Sequence, residues 1–376
     1  MLFDSCANSA LQLANRIAMA PMTRCRADHC DAVPNALITE YYRQRASAGL
    51  IISEGVPVSD RARGYLNTPA LWNEVQAAGW QRVTAAVHDA GGRIFAQLWH
   101  CGRVAHAALH ADGGAPAGVS IRPAATQTMI PGQDGKPVPA ACSQPQALSL
   151  QEIRGVVAEF SHAARLAMQA GFDGVEIHGA NGYLLDQFRC PALNQRNDVY
   201  GGSLANRYRL LLEVVDAVAA EIGPQRIAVR QSPYGLNNDM VADPEPLKTY
   251  PWLARELNRR SIGFLHINCQ TADWIHDAGH SMMPALRDAF HGAIIACGGF
   301  TTSAAGAAIL ARGHADLIAI GKPFISNPDL VARLRHGAPL AKWDPASFYA
   351  GGERGYTDYP TLEQESALAT RRAEAC

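Results

Sequence analysis

The feature that most constrains this chain is a strict alternation of short apolar runs with longer amphipathic stretches. Eight runs have the length and content of strands: Ile17–Met22, Leu50–Val56, Ile94–Trp99, Gly174–His178, Ile227–Ser232, Gly263–Asn268, Ala293–Cys297 and Leu317–Gly321. Most are nearly continuously apolar, as strands buried on both faces of a parallel sheet are. Helical patterns follow them at Ala36–Ala48, Glu74–Ala90, Leu150–Ala170, Leu204–Ile222, Pro246–Arg260, Met282–Phe290, Ser303–Ala311 and Ser326–Arg335. In the third, Ser149 can cap the start, Glu152 sits in the first turn and Gly171 ends it. Eight strand–helix units predict an α/β fold, a single (β/α)8 TIM barrel. A doubly wound sheet would need a switch in strand order, and no G-x-G-x-x-G follows the first strand to support its dinucleotide-binding version.

The 376 residues exceed the roughly 250 of a minimal barrel. The excess goes mainly to the connection between Trp99 and Leu150 and to the C-terminal tail. Residues 113–147 contain five Gly and six Pro, and no helical pattern. A connection this long in a compact domain usually has a function. Following strand 3, it reads as a lid-like excursion over residues 104–149 at the C-terminal face, where barrel active sites lie, with a hairpin of its own. The alternative is a disordered insert. Residues 1–376 are expected to form one domain.

Composition excludes several function classes. Lys and Arg number 33 against 34 Asp and Glu, so the surface lacks the basic footprint that nucleic acid or an anionic membrane needs. No apolar run approaches the length of a membrane span, and the first residues do not read as a signal peptide. Nine cysteines, with no C-x-x-C pair, fit a reducing compartment, and a cytoplasmic location is expected. Cys25, His29 and Cys30 lie close together, but without a second pair they read as unrelated groups and not as a metal site.

Unusual polar residues at strand C-terminal ends mark the candidate site. Gly298 and Gly299 after strand 7 let backbone N–H groups approach an anion, and Thr301 or Thr302 then starts a helix whose N-terminus favours negative charge. Gly321 and Lys322 follow strand 8, and together these ends suggest phosphate. The end of strand 4 is the richest. His178 and Asn181 can both donate to one oxygen, polarising a carbonyl, and Tyr183 can hand over a proton. Taken singly, each of these residues also fits a buried, backbone-satisfied side chain or a simple turn. Gln97 and Trp99 share a face of strand 3, and Arg230 ends strand 5.

Gly171 through Phe188, with its core His178-Gly179-Ala180-Asn181-Gly182-Tyr183, resembles the central signature of the old yellow enzyme family. So do Ala20-Pro21-Met22-Thr23-Arg24, Gln97 through Arg103, Tyr200 through Ser203, Arg230 through Gly235, Phe324 through Leu330 and Gly355 through Pro360. The resemblance spans essentially the whole chain. It implies a barrel that holds FMN noncovalently and reduces activated alkenes with hydride from NAD(P)H, as a monomer or homodimer. By the same resemblance, His178 and Asn181 hold the carbonyl or nitro oxygen of the substrate and Tyr183 is the proton donor. Arg230 faces the N1/O2 edge of the flavin, Gln97 and Thr23 bond its pyrimidine edge and O4, and Pro21, Met22 and Gly55 contact the ring. Gly298, Gly299, Gly321 and Lys322 take the phosphate, while Thr23, Trp99, Phe348 and Tyr349 line the substrate cavity. Thr23, where another branch has Cys, resembles the yeast and enterobacterial branch. The chain departs from the pattern at Lys322, where the family usually has Arg, at Gln231 and at Arg189-Cys190. Without the resemblance, a cofactor-free barrel lyase or isomerase, or a barrel binding a phosphorylated ligand without turnover, would remain open.

Overall fold

The computed structural model describes residues 1–8, 11–28, 31–134, 136–269, 282–300 and 302–374. His29, Cys30 and Thr301 lie outside the described residues. Eight parallel strands close into a barrel in chain order: β1 Ile17–Met19, β2 Leu50–Pro57, β3 Ile94–Trp99, β4 Gly174–His178, β5 Ile227–Gln231, β6 Phe264–Asn268, β7 Ala293–Cys297 and β8 Leu317–Ile320, with β8 paired back onto β1. Outside the barrel run α1 Ala36–Gln44, α2 Glu74–Asp89, α3 Leu150–Gln169, α4 Leu204–Ile222, α5 Pro246–Arg259, α6 Met283–Ala289, α7 Ser303–Ala311 and α8 Leu330–His336. The expected (β/α)8 barrel is therefore the observed fold. Among the described residues no helix is long and apolar enough to cross a membrane.

Strand alternation sorts the side chains into two packing zones. Ile51, Val56, Leu98, Val175, Ile177, Val229, Ile267, Ile294 and Ile318 point outward and pack beneath the helices. Leu50, Ile52, Phe95, Ala228, Phe264, Ile295 and Leu317 point inward and fill the lower barrel. A two-stranded antiparallel sheet, Cys6–Asn8 with Leu11–Leu13, adds Cys6 and Leu13 to that inner cluster. The helices begin where capping chemistry places them: Ser149 and Glu152 form a reciprocal capping box on α3, and Asn73, Ser203 and Thr302 cap α2, α4 and α7.

The structure departs from the sequence expectation after β8. The single helix expected over Ser326–Arg335 is two pieces, Lys322–Ser326 and α8. Asn327 divides them: its Nδ2 donates to the Pro323 carbonyl and its Oδ1 accepts from the Ala341 N–H, at 2.8 Å each, and Pro328 has no N–H to continue the helix. A short helix Leu184–Arg189 after β4 and a C-terminal helix Leu362–Glu374 had no strand–helix rhythm to announce them.

Within 104–149, Gln127–Pro131 and Pro137–Ala141 pair as an antiparallel hairpin, and Ala117–Gly118 pairs with Gln146–Ala147. The hairpin is tied down at its base, where Thr128 Oγ1 donates to the Gly64 carbonyl and Arg103 Nη1 to the Pro123 carbonyl.

The β2–β3 register slips between Ile52 and Gly55, so Ser53 and Glu54 form a bulge. Beyond it Gly55 lies against the Trp99 indole: a Cβ on Gly55 would stand 2.3 Å from Trp99 Cε3. Gly55→Ala should therefore displace the indole and lower stability by about 1–3 kcal/mol, the usual range for overpacking, read as a lower urea midpoint. An unchanged midpoint would show that the indole has room to move.

Candidate active site

The C-terminal mouth of the barrel opens into a cavity of about 620 Å³. Pro21, Met22, Thr23, Gln97, Trp99, His178, Asn181, Tyr183, Arg230, Lys322, Phe348 and Tyr349 all line it, brought together from five strand ends and the C-terminal segment. Gly55, Gly298, Gly299 and Gly321 do not line it. Gly55 sits behind Trp99, and the two glycines after β7 lie on the loop leading to α7, with Gly299 at φ 65°. Arg24, Tyr65, Asn237 and Ile325 line the cavity too, without a site role having been assigned to them from the sequence.

The floor is a polar layer built by alternation on otherwise apolar strands. Gln97 Nε2 donates to Glu176 Oε1 at 2.7 Å, and His266 Nδ1 meets Glu176 Oε2 at 2.6 Å. Glu176 and His266 are both fully buried. Burial opposes both charges, yet the charges and hydrogen bonds around each together outweigh it: the carboxyl is held below its usual range and the imidazole above. Burial also pushes the Cys297 thiol up, but the adjacent His266 and Arg230 groups bring it below the usual thiol range. Arg230 is itself buried, and its Nε has no partner among the described residues.

His178 and Asn181 present donors above this layer. Burial, then the nearby Arg230 and His266 charges, holds the His178 imidazole well below its usual range, so the ring is neutral. Its Nδ1 has no partner among the described residues. Asn181 stands at φ 58°, a left-handed conformation that asparagine tolerates better than most side chains. Its Oδ1 accepts from Asn268 Nδ2 at 3.0 Å and from Asn237 Nδ2 at 3.4 Å. With the amide oxygen occupied, the amide NH₂ is the group left to donate.

Tyr183 completes this wall. Its ring packs edge-on to Trp99 at 4.8 Å and to His178 at 4.9 Å, and its hydroxyl lies 3.0 Å from that of Tyr65. Burial raises the phenol well above its usual range, so Tyr183 holds its proton. Its surroundings explain two departures from the family pattern. Arg189, fully buried, pairs with Asp186 at 2.7 Å and Asp243 at 3.0 Å. Asp186 in turn accepts from the Gly182 N–H. Arg189 thus ties the segment carrying Asn181 and Tyr183 to the loop after β5. Gln231 donates to the Gly179 carbonyl at 2.7 Å and secures the end of β4 to β5.

The C-terminal segment is strapped across the mouth by two arginines. Arg24 donates to the carbonyls of Ser347, Phe348 and Gly355, and Arg26 to those of Ser347, Phe348 and Ala350. Tyr356 stacks on Tyr41 at 4.1 Å beneath them. This strap sets Phe348 and Tyr349 over the cavity. Arg24 is held by the bulge, its N–H donating to Glu54 Oε2 at 3.0 Å.

Residues 2–341 match the family described as NADH:flavin oxidoreductase / NADH oxidase. The chain belongs to this family, that of old yellow enzyme. It is 42% identical to 12-oxophytodienoate reductase 2 of Arabidopsis thaliana over 357 residues, 93% of each chain. Morphinone reductase superposes with a TM-score of 0.91 at 44% identity, covering 97% of both chains. That enzyme is also known in complex with tetrahydroNAD. The old yellow enzyme homologue from Zymomonas mobilis superposes at 0.89 with 40% identity, covering 96% of this chain and 99% of its own. The protein is a flavin-dependent oxidoreductase with FMN as cofactor and a nicotinamide coenzyme as reductant.

The cavity of this old yellow enzyme relative fits FMN. Its volume suits a cofactor site. Arg230 brings a buried positive charge with an orphaned N–H, and Gln97, whose NH₂ is spent on Glu176, keeps an amide oxygen to accept from a ring N–H. Lys322 lies at the rim on β8's exit, with no carboxylate partner among the described residues, and can meet a phosphate.

Glu54 gives this site a pH signature. Burial, only partly offset by the Arg24 and Cys25 N–H groups and the arginine charges, raises its carboxyl to about 7. The unfolded chain releases this proton first, so Glu54 favours folding below pH of about 4.5 and that contribution is lost as pH rises through about 7. The stability difference between wild type and Glu54→Gln, from urea midpoints, should shift against wild type across that window. A pH-independent difference would contradict the raised carboxyl.

Proposed function

We propose that the protein is an ene-reductase that saturates the activated C=C bond of α,β-unsaturated carbonyl or nitro compounds at the expense of NAD(P)H. The observation that carries this reading is the pairing of two oriented donors, His178 and Asn181, with a protonated Tyr183 packed against His178. FMN, held by Gln97, Arg230 and Thr23, would supply the redox chemistry that passes hydride from the coenzyme to the alkene. The residues do the rest. His178 and Asn181 bind the substrate oxygen and stabilise the negative charge that moves onto it as hydride arrives at the β-carbon. Tyr183 gives its hydroxyl proton to the α-carbon, and Tyr65, hydrogen-bonded to it, can pass a replacement proton. The alkene gains two electrons and two hydrogens, and the coenzyme leaves oxidised.

Several further assignments belong to this proposal. Gln97, Arg230 and Thr23 hold the pyrimidine edge of the flavin. Pro21 and Met22 hold its ring, with Gly55 giving Trp99 the room to complete the substrate wall. Gly298, Gly299, Gly321 and Lys322 take the phosphate. Trp99, Phe348 and Tyr349 shape the substrate pocket, and residues 104–149 cover it within one FMN-binding unit spanning the chain. Thr23 at the flavin edge supports placement with the threonine-bearing branch of the family. The 12-oxophytodienoate and morphinone reductases among its relatives support an enone as substrate.

Tyr183→Phe tests the assignment. It should leave flavin bleaching by NADPH within about twofold of wild type and slow reoxidation by 2-cyclohexenone by roughly 10²–10⁴-fold, the range for loss of a positioned general acid. Equal loss in both half-reactions, followed by stopped-flow absorbance, would remove Tyr183 from the role.

A further inference from the structure

A second cavity of about 400 Å³ opens beside the first. Its walls come from Leu66 on the β2–α2 connection, from Met129, Pro137 and Pro139 on the hairpin, and from Tyr65 and Tyr349, which also line the main cavity. The two spaces therefore meet at a pair of tyrosine rings. One of them, Tyr65, is hydrogen-bonded to Tyr183. The other, Tyr349, is 60% exposed and meets Phe348 edge-on at 6.3 Å.

The lining is chemically selective. It is apolar apart from Tyr and Thr hydroxyls, uncharged amides and one thiol, and no Lys, Arg, Asp or Glu contributes to it. The Cys25 thiol at its edge is neutral, since burial raises it to about 12. A phosphate or carboxylate finds no counter-charge there, which excludes the phosphate-bearing part of a nicotinamide coenzyme. The hairpin that forms the outer wall is pinned to the loop carrying Tyr65 by the Thr128–Gly64 hydrogen bond, and Arg26 holds the Ala350 carbonyl on the opposite side. The space is thus framed by anchored backbone.

We infer that this annex is a subsite for the apolar substituent of the substrate, an alkyl or alicyclic chain carried by the unsaturated carbonyl compound whose oxygen sits on His178 and Asn181. The inference rests on the ene-reductase reading. A substrate whose reacting carbons lie under Tyr183 and whose chain leaves past that residue meets Tyr65 next, and beyond Tyr65 the annex is, among the described residues, an apolar continuation that removes a hydrocarbon chain from water. Substrate preference is then set by the hairpin and the C-terminal strap as well as by the barrel.

The test uses the holoenzyme and straight-chain enones from pent-3-en-2-one to dec-3-en-2-one, with NADPH under anaerobic conditions. Each added methylene that enters the annex should lower KM about 3- to 4-fold, the fold-change for burying one CH₂, with little change in kcat. Met129→Glu places a charge in the wall at a partly exposed position. It should flatten the chain-length series while leaving the KM values for pent-3-en-2-one and NADPH as in wild type. Pro139→Asp, on the other hairpin strand, should do the same if Met129→Glu is poorly folded. Equilibrium binding of 4-alkylphenols, followed by absorbance of the bound flavin, should tighten with alkyl length in wild type only. A flat series in wild type, or a series both variants leave intact, overturns the annex. If wild type reduces pent-3-en-2-one but shows no chain-length gain, the ene-reductase reading stands and the subsite alone fails. If it reduces no enone, both fail.

Discussion

Glu176 and His266 meet at 2.6 Å inside the barrel, where neither reaches solvent. Two charges in that position are costly unless each is paired and every remaining lone pair or proton is used. The neighbours go part of the way: Gln97 bonds the second carboxylate oxygen, and Cys297 lies against the imidazole and Arg230, while His266 Nε2 keeps no hydrogen-bond partner among the described residues. Below this layer the interior is hydrocarbon, and above it the cavity begins. The layer therefore marks where packing ends and chemistry starts. Removing one member would leave the other charge buried and unpaired, at a cost of about 3–5 kcal/mol. It would also release Gln97, which stands at the edge assigned to the flavin.

The wall above is ordered by a second set of polar contacts. Asn268 and Asn237 occupy the Asn181 oxygen, so the amide can only offer N–H groups to a ligand. Arg189 with Asp186 and Asp243 fixes the segment that carries Asn181 and Tyr183 against the loop after β5. A change in that loop would thus reach the donors through Asn237 and Asp243. The loop and the hairpin both lie outside the repeating strand–helix pattern, which frees them to vary the cavity without altering the barrel.

The barrel was legible in the sequence because alternation of apolar runs with capped amphipathic helices has few other solutions. Ser149 was readable as a cap, with Glu152 in the first turn, because that device is local. The cavity residues at strand ends were legible too, since His178, Asn181 and Tyr183 fall where the strand pattern breaks. Glu176, His266 and Asn268 left a weaker signal: single polar residues at two-residue spacing inside strands otherwise apolar, Gly174–His178 and Phe264–Asn268. Alternation places all three inside the barrel, but their pairing needs the register between strands. Arg24 and Arg26 were illegible as straps because their partners are backbone carbonyls more than three hundred residues away. Arg189 had no reading until Asp243 stood beside it. The split of the last helix at Asn327 turned on a side chain binding two backbone groups, which periodicity does not register.

As an ene-reductase, the proposed function, this arrangement directs hydride to carbon and not to the carbonyl it polarises. The most direct measurement follows the label when the holoenzyme reduces 2-cyclohexenone with NADPH doubly deuterated at C4 of the nicotinamide. The arrangement predicts cyclohexanone carrying deuterium on the β-carbon, with the α-hydrogen drawn from solvent. An allylic alcohol carrying deuterium at the former carbonyl carbon would contradict it.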